Sequence, residues 1–165
     1  MTETPLLPHD IPIGALTSII FRNQSVFLNH HLRALDLSCG QFPILMYLMN
    51  HQNVTQETLA RHFHIDRGTI ARSVRKLEDA DYVIRTIDPE NRRAVRLFLS
   101  EKGISIIPEL IRIDAEWEGT VSASFIGNES SQFRDLLLKA AGSSIRGVRE
   151  IGEDYVSCCT GGECA

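Results

Sequence analysis

The sequence predicts a mostly α-helical fold that carries one small β-hairpin. Three observations predict it. A helix-start pattern recurs four times in the first two-thirds of the chain. Long stretches with apolar residues at helical spacing lie at both ends. One segment, residues 82–99, reads instead as two short strands around a turn.

Residues 11 to about 35 carry Ile13, Leu16, Ile20, Phe27, Leu28, Leu32 and Leu35, the wide apolar stripe of a long helix. Next comes Leu37-Ser38-Cys39-Gly40-Gln41-Phe42, which has the spacing of a capping box with a hydrophobic staple. The staple and cap recur in Val54-Thr55 with Leu59, in Ile65-Asp66 with Ile70, and in Leu99-Ser100 with Ile104. A cap oxygen satisfies a backbone N–H that would otherwise lack a partner, worth about 1 kcal/mol. Helix starts are therefore expected near residues 39, 56, 67 and 101. The helix from 101 contains Pro108, which must kink or split it. A last helix follows, with Phe133, Leu136, Leu137, Ala140, Ser144, Ile145 and Val148 on one face. Residues 151–165 show no periodicity and read as a loose tail.

Tyr82–Ile87 and Ala94–Leu99 are β-branched or alternating, and Asp88-Pro89-Glu90-Asn91 is turn chemistry. Two strands alone are marginal in water, so this hairpin must pack on the helices.

The helices expected from 56 and 67 are separated by only a few residues, with Ala60 where they approach, which is helix-turn-helix spacing. On the second helix, Ile70, Val74 and Leu77 share the inward face. The outward face holds Gly68, Arg72 and Arg75, flanked by Thr69 and Lys76, with Asp79 the acidic residue towards its end. An Arg at such a place can take a guanine edge with two parallel hydrogen bonds, and Thr69 can reach a base or a phosphate. The capped helix start beside Arg67 suits a phosphate. Arg67, Gly68, Thr69, Arg72, Ser73, Arg75 and Lys76 are the candidate DNA contacts of this helix. Arg92 and Arg93 at the hairpin tip are the candidate contacts of a wing, because arginine suits the negative potential of a narrow minor groove. Together these parts make a winged helix-turn-helix.

The net charge of -4 opposes a polyanionic partner only until it is read by segment. Of 17 basic and 21 acidic residues, ten and seven fall between Arg61 and Lys102, leaving seven and fourteen elsewhere. A basic middle can direct a polyanion to one face despite acidic flanks.

The segments LSCGQFPILMYL and TQETLARHFHIDRGTIARSVRKLEDADYVIRTIDPENRRAVRLFLSEKG, with long flanking helices, resemble the MarR (multiple antibiotic resistance regulator) family over about residues 11–150. The most specific part runs from Leu77-Glu78 through the aliphatic-Arg strand and Asp88-Pro89 to Leu99-Ser100-Glu101-Lys102-Gly103. This chain has Asn91 where the family's wing triplet begins with Asp. It has Ser100 for the usual Thr, and Gly68 where the family often has Ser or Thr. The resemblance implies a homodimer that binds a pseudo-palindromic operator in double-stranded DNA, usually as a repressor released by a small ligand, an oxidant or a metal. The expected domains are a helical dimerisation region at 11–36 and 101–150, the winged helix-turn-helix at 37–100, and the tail at 151–165. The terminal apolar stripes support a dimer independently, since they exceed what one small winged domain can cover.

Against an enzyme, the chain has no G-x-S-x-G, Walker loop, H-E-x-x-H or strand-borne G-x-G-x-x-G. A dimeric interaction module that ignores DNA is the other rival, and the basic helix face opposes it. His30-His31 and His62-Phe63-His64 match no standard metal-ligand spacing. No cofactor is expected, although Cys158, Cys159 and Cys164 could gather a soft metal. Cys39, expected at a helix start, is a small packing residue or, if exposed, a redox-sensing thiol. Thiol-based metal or redox sensing is thus the alternative reading. The absence of an apolar run of spanning length and of a secretory leader points to the cytoplasm.

Overall fold

A computed structural model describes residues 7–87 and 95–151. The chain forms two compact units, divided between Cys39 and Gly40.

The first unit is α1 (Ile13–Leu32) followed by a 3-10 turn, Arg33–Leu35. Asp36 takes a left-handed conformation (φ 53°) and ends the helical run. The Asp36 and Leu37 N–H groups then donate back to the Arg33 and Leu32 carbonyls. Leu28, Leu32 and Leu37 are buried, while Ile13, Phe21 and Val26 remain well exposed.

The second unit opens with α2 (Phe42–Asn50). Here the structure corrects the sequence. The helix starts at Phe42, not near residue 39, and residues 39–41 form a turn before it. The reason is Pro43. In a helix beginning at Cys39 it would have to donate an N–H to the Cys39 carbonyl, and proline has none. Starting at Phe42 puts Pro43 in the first turn, where no donor is needed. The Cys39 N–H instead donates to Asn29 Oδ1 at 2.8 Å.

The other three starts stand where the sequence put them. In α3 (Gln56–Phe63), Thr55 Oγ1 accepts from the Thr58 N–H at 3.1 Å. In α4 (Arg67–Asp79), Asp66 Oδ1 accepts from the Thr69 N–H at 2.8 Å. In α5 (Glu101–Ser105), Ser100 Oγ accepts from the Gly103 N–H at 2.9 Å. Between α3 and α4, His64 sits in the left-handed region, and the Ile65 N–H returns to the Ala60 carbonyl at 3.1 Å. That tight closure lets α4 leave α3 after three residues.

The left-handed residue after α4 is Asp81 (φ 60°). Its N–H donates to the Glu78 carbonyl, and that of Tyr82 to the Leu77 carbonyl at 2.8 Å, the paired bonds of a Schellman ending. This turn feeds β1 (Val83–Ile87), which pairs antiparallel with β2 (Val95–Leu99), Val83 facing Leu99 and Ile87 facing Val95. The strands are as expected, but the sheet has a third participant. Val54 bridges Leu97: the Leu97 N–H donates to the Val54 carbonyl at 2.8 Å, and the Asn53 N–H to the Leu97 carbonyl at 3.0 Å. The backbone entering α3 is therefore tied to the wing.

Pro108 splits the next helix, leaving α5 and α6 (Ile107–Val121) with the proline in the first turn of α6. α6 packs on α2. Leu48, Leu59, Ile70, Val74, Leu77, Val83, Leu97, Leu110 and Ile113 form the buried core of this unit. α7 (Glu129–Ile151) turns off α6 through an edge-to-face contact of Phe125 with Phe133 and an ion pair of Arg134 with Glu118 at 2.7 Å. The half-buried Asp114 carboxyl nearby is pushed up from its ordinary value by burial and by Glu118, with Arg134 opposing. α7 buries none of its own residues, and Leu136, Leu138 and Ile151 are each more than 60% exposed.

Candidate nucleic-acid interface

Ile70, Val74 and Leu77 anchor α4 to the core, so the helix can turn only its opposite side outward. Arg67, Gly68, Arg72, Arg75 and Lys76 are exposed, and Thr69 and Ser73 are half-buried at the edge of the same face. Every candidate contact of this helix thus lies on one accessible, basic side or beside it. Three of these residues are already engaged. The Arg67 guanidinium makes a two-pronged pair with Glu57 of α3, Nε to Oε2 at 2.7 Å and Nη2 to Oε1 at 2.8 Å. Arg72 Nη2 donates to Thr69 Oγ1 at 2.7 Å.

The Glu57–Arg67 pair is largely exposed, so its own contribution to stability is small. Its effect on an approaching phosphate is larger, because the carboxylate competes for the same guanidinium. Glu57→Gln is expected to raise affinity for DNA of any sequence and to steepen the salt dependence by up to about one unit. Titrations against a random duplex at several salt concentrations check this. Unchanged affinity and slope would place Arg67 away from the phosphates.

The hairpin is held beside α4 by contacts that the sequence pattern does not announce. Arg85 on β1 pairs with Glu78 on α4 at 2.8 Å. The Arg96 guanidinium on β2 reaches the Asn53 carbonyl at 3.4 Å. The Leu-Ser-Glu-Lys-Gly segment, legible in the sequence only as a cap, is also a clamp. Ser100 Oγ donates to the Asp81 carbonyl at 2.5 Å. Lys102 Nζ donates to the Ala80 carbonyl at 2.8 Å and lies 4.3 Å from the centre of the Tyr82 ring. Gly103 is buried, and a Cβ there would run into the Tyr82 carbonyl oxygen. All three act on residues 80–82, the turn joining α4 to β1. The only signal for this in the sequence is the Lys-Gly pair that follows the cap.

Arg92 and Arg93 lie outside the described residues, as do Cys158, Cys159 and Cys164. Cys39 is half-buried and, since α2 begins at Phe42, does not stand at a helix start. Several histidines are taken up in ring contacts. His51 and His62 each pack against Tyr47, at 4.4 and 4.3 Å, and His31 lies 4.4 Å from Phe27. Among the described residues, no group of three or more His, Cys, Asp or Glu side chains is placed to hold a metal ion.

Comparison with known proteins agrees with this geometry. The family model described as MarR family matches residues 37–95, from the segment before α2 to the first residue of β2. The chain is 32% identical over 110 residues to YybA of Bacillus subtilis (strain 168), an uncharacterized HTH-type transcriptional regulator; the match covers 67% of this chain and 73% of that one. A crystal structure of MarR superposes with a TM-score of 0.78 at 34% identity, covering 88% of this chain and 99% of the other. The fold is also that of MepR from S. aureus in its complex with DNA, with a TM-score of 0.76 at 24% identity over 81% of this chain and 99% of that one.

Proposed function

The chain belongs to the MarR family of transcriptional regulators, and we propose that it binds a pseudo-palindromic operator as a homodimer and represses transcription. The observation that carries the proposal is the outward side of α4, where Arg72, Arg75 and Lys76 are exposed on the second helix of a helix-turn-helix. A helix of this kind enters the major groove, and two such lobes related by a two-fold axis match a palindromic site. Release by a small ligand, an oxidant or a metal completes the proposal. Cys39 is the thiol available to an oxidant among the described residues. Such a protein works in the cytoplasm, and among the described residues no helix is long and apolar enough to cross a membrane.

α7 supports the dimer. An isolated helix gains little in water, and one with Leu136, Leu137, Leu138, Val148 and Ile151 exposed calls for a covering partner. Leu136→Glu combined with Leu137→Glu is expected to shift the protein to monomer in sedimentation velocity runs. Operator affinity should fall with it, since each lobe alone holds half a site. A persistent dimer would move the interface off this face.

For the wing, Arg92→Ala with Arg93→Ala is expected to weaken binding and to lower the log–log salt slope by about 1 for each phosphate no longer neutralised. An unaltered slope would show that the tip stands clear of the DNA.

A further inference from the structure

We infer that Gly68 and Thr69 serve as a seat for Arg72, holding its guanidinium in one posture so that it reads a single base step. The inference rests on the proposed DNA reading and goes beyond it by giving these two residues a role that needs no contact with DNA.

Two observations carry it. The first is the 2.7 Å hydrogen bond from Arg72 Nη2 to Thr69 Oγ1. Residues three apart share one side of a helix, so this bond lies along the exposed face. It uses one of the five N–H groups of the guanidinium and leaves the rest for a base edge. The second is the space over Gly68. A Cβ at 68 would lie 3.4 Å from Arg72 Nη1 and 3.1 Å from Asp66 Oδ1. The guanidinium therefore lies back along the first turn of α4, over the one residue there that has no side chain. A Cβ alone would be tight against the Asp66 cap oxygen and in ordinary contact with the arginine, whereas a side chain reaching past Cβ would take the space the guanidinium occupies.

An exposed arginine normally samples many rotamers and loses that freedom when it grips a base. A guanidinium already tethered by Thr69 and bedded over Gly68 loses less. Its planar fork also meets the DNA in one orientation, which sharpens discrimination at the step it faces. Gly68 and Thr69 are then positioning residues, and Arg72 is the one that touches the base.

The probe is a duplex selected by the wild-type protein from a randomised pool, together with its single base-pair variants. Arg72→Ala is expected to abolish preference at one step per half-site, a factor of roughly 5 to 150. Thr69→Val keeps the β-branched shape and removes the hydroxyl. It is expected to reduce preference at that same step by about threefold to tenfold and to leave the salt slope unchanged, with Thr69→Ser restoring the preference. Gly68→Val, whose methyl groups reach past Cβ into the space under the guanidinium, is expected to blunt the same step. In an Arg72→Ala background neither change should have a further effect. The inference is overturned if Thr69→Val alters a different step, if its effect adds in full to that of Arg72→Ala, or if Gly68→Val leaves discrimination intact. A preference untouched by Arg72→Ala is a separate outcome, and it would remove the base contact on which the seat depends.

Discussion

Replacing Arg72 and Arg75 together by alanine is expected to lower affinity for the selected operator by about a hundredfold or more. Removing one bidentate base contact costs about 1–3 kcal/mol, and the proposed dimer would give up two such contacts in each half-site. The fold should survive, since both side chains are exposed and the core face of α4 is carried by Ile70, Val74 and Leu77. The singly substituted proteins should each change base preference at one step per half-site. Isothermal titration on the selected duplex and its variants measures this. Weakening that is equal on every sequence would mean that the two arginines hold phosphates, and no weakening would take α4 out of the groove.

The second large effect is expected at a residue that never touches DNA. Gly103→Ala should destabilise the protein by about 3 kcal/mol, at the upper end for an overpacked site. The obstacle is the Tyr82 backbone carbonyl, which no side-chain rotation can move aside. Relief requires α5 to draw back from the 80–82 turn, which breaks the Ser100 and Lys102 bonds to Asp81 and Ala80 and loosens the wing's hold on α4. Operator affinity should therefore fall even at temperatures where the protein stays folded. Gly119→Ala in α6 is the control, because nothing lies within 4 Å of a Cβ there and the change should be neutral or stabilising. Urea denaturation of both variants checks the pair. Equal stability would show that α5 does not bear on the turn.

The local chemistry was legible in the sequence. Thr55, Asp66 and Ser100 were identifiable as caps because a cap is decided within four residues. The start expected near residue 39 is displaced to Phe42 for an equally local reason, since Pro43 cannot supply the N–H that the earlier start requires. The outward face of α4 followed from helical spacing alone. Other features depend on groups far apart in the chain. Gly103 matters because the Tyr82 carbonyl arrives from 21 positions earlier, and Val54 joins the sheet only once β2 has folded beside it. Arg67 and Arg72 were recognisable as basic and exposed, but the partners that hold them, Glu57 and Thr69, become evident only from the side-chain geometry.

The proposed function requires two copies of the winged lobe to read a two-fold DNA site. Selection from a randomised duplex pool with the purified protein, followed by sequencing of the bound fraction, measures that symmetry itself. The expected result is enrichment of one pseudo-palindrome, with half-sites centred about 10 base pairs apart or a multiple of that. Enrichment of a single unpaired half-site, or a bound pool no different in sequence from the input, would contradict it.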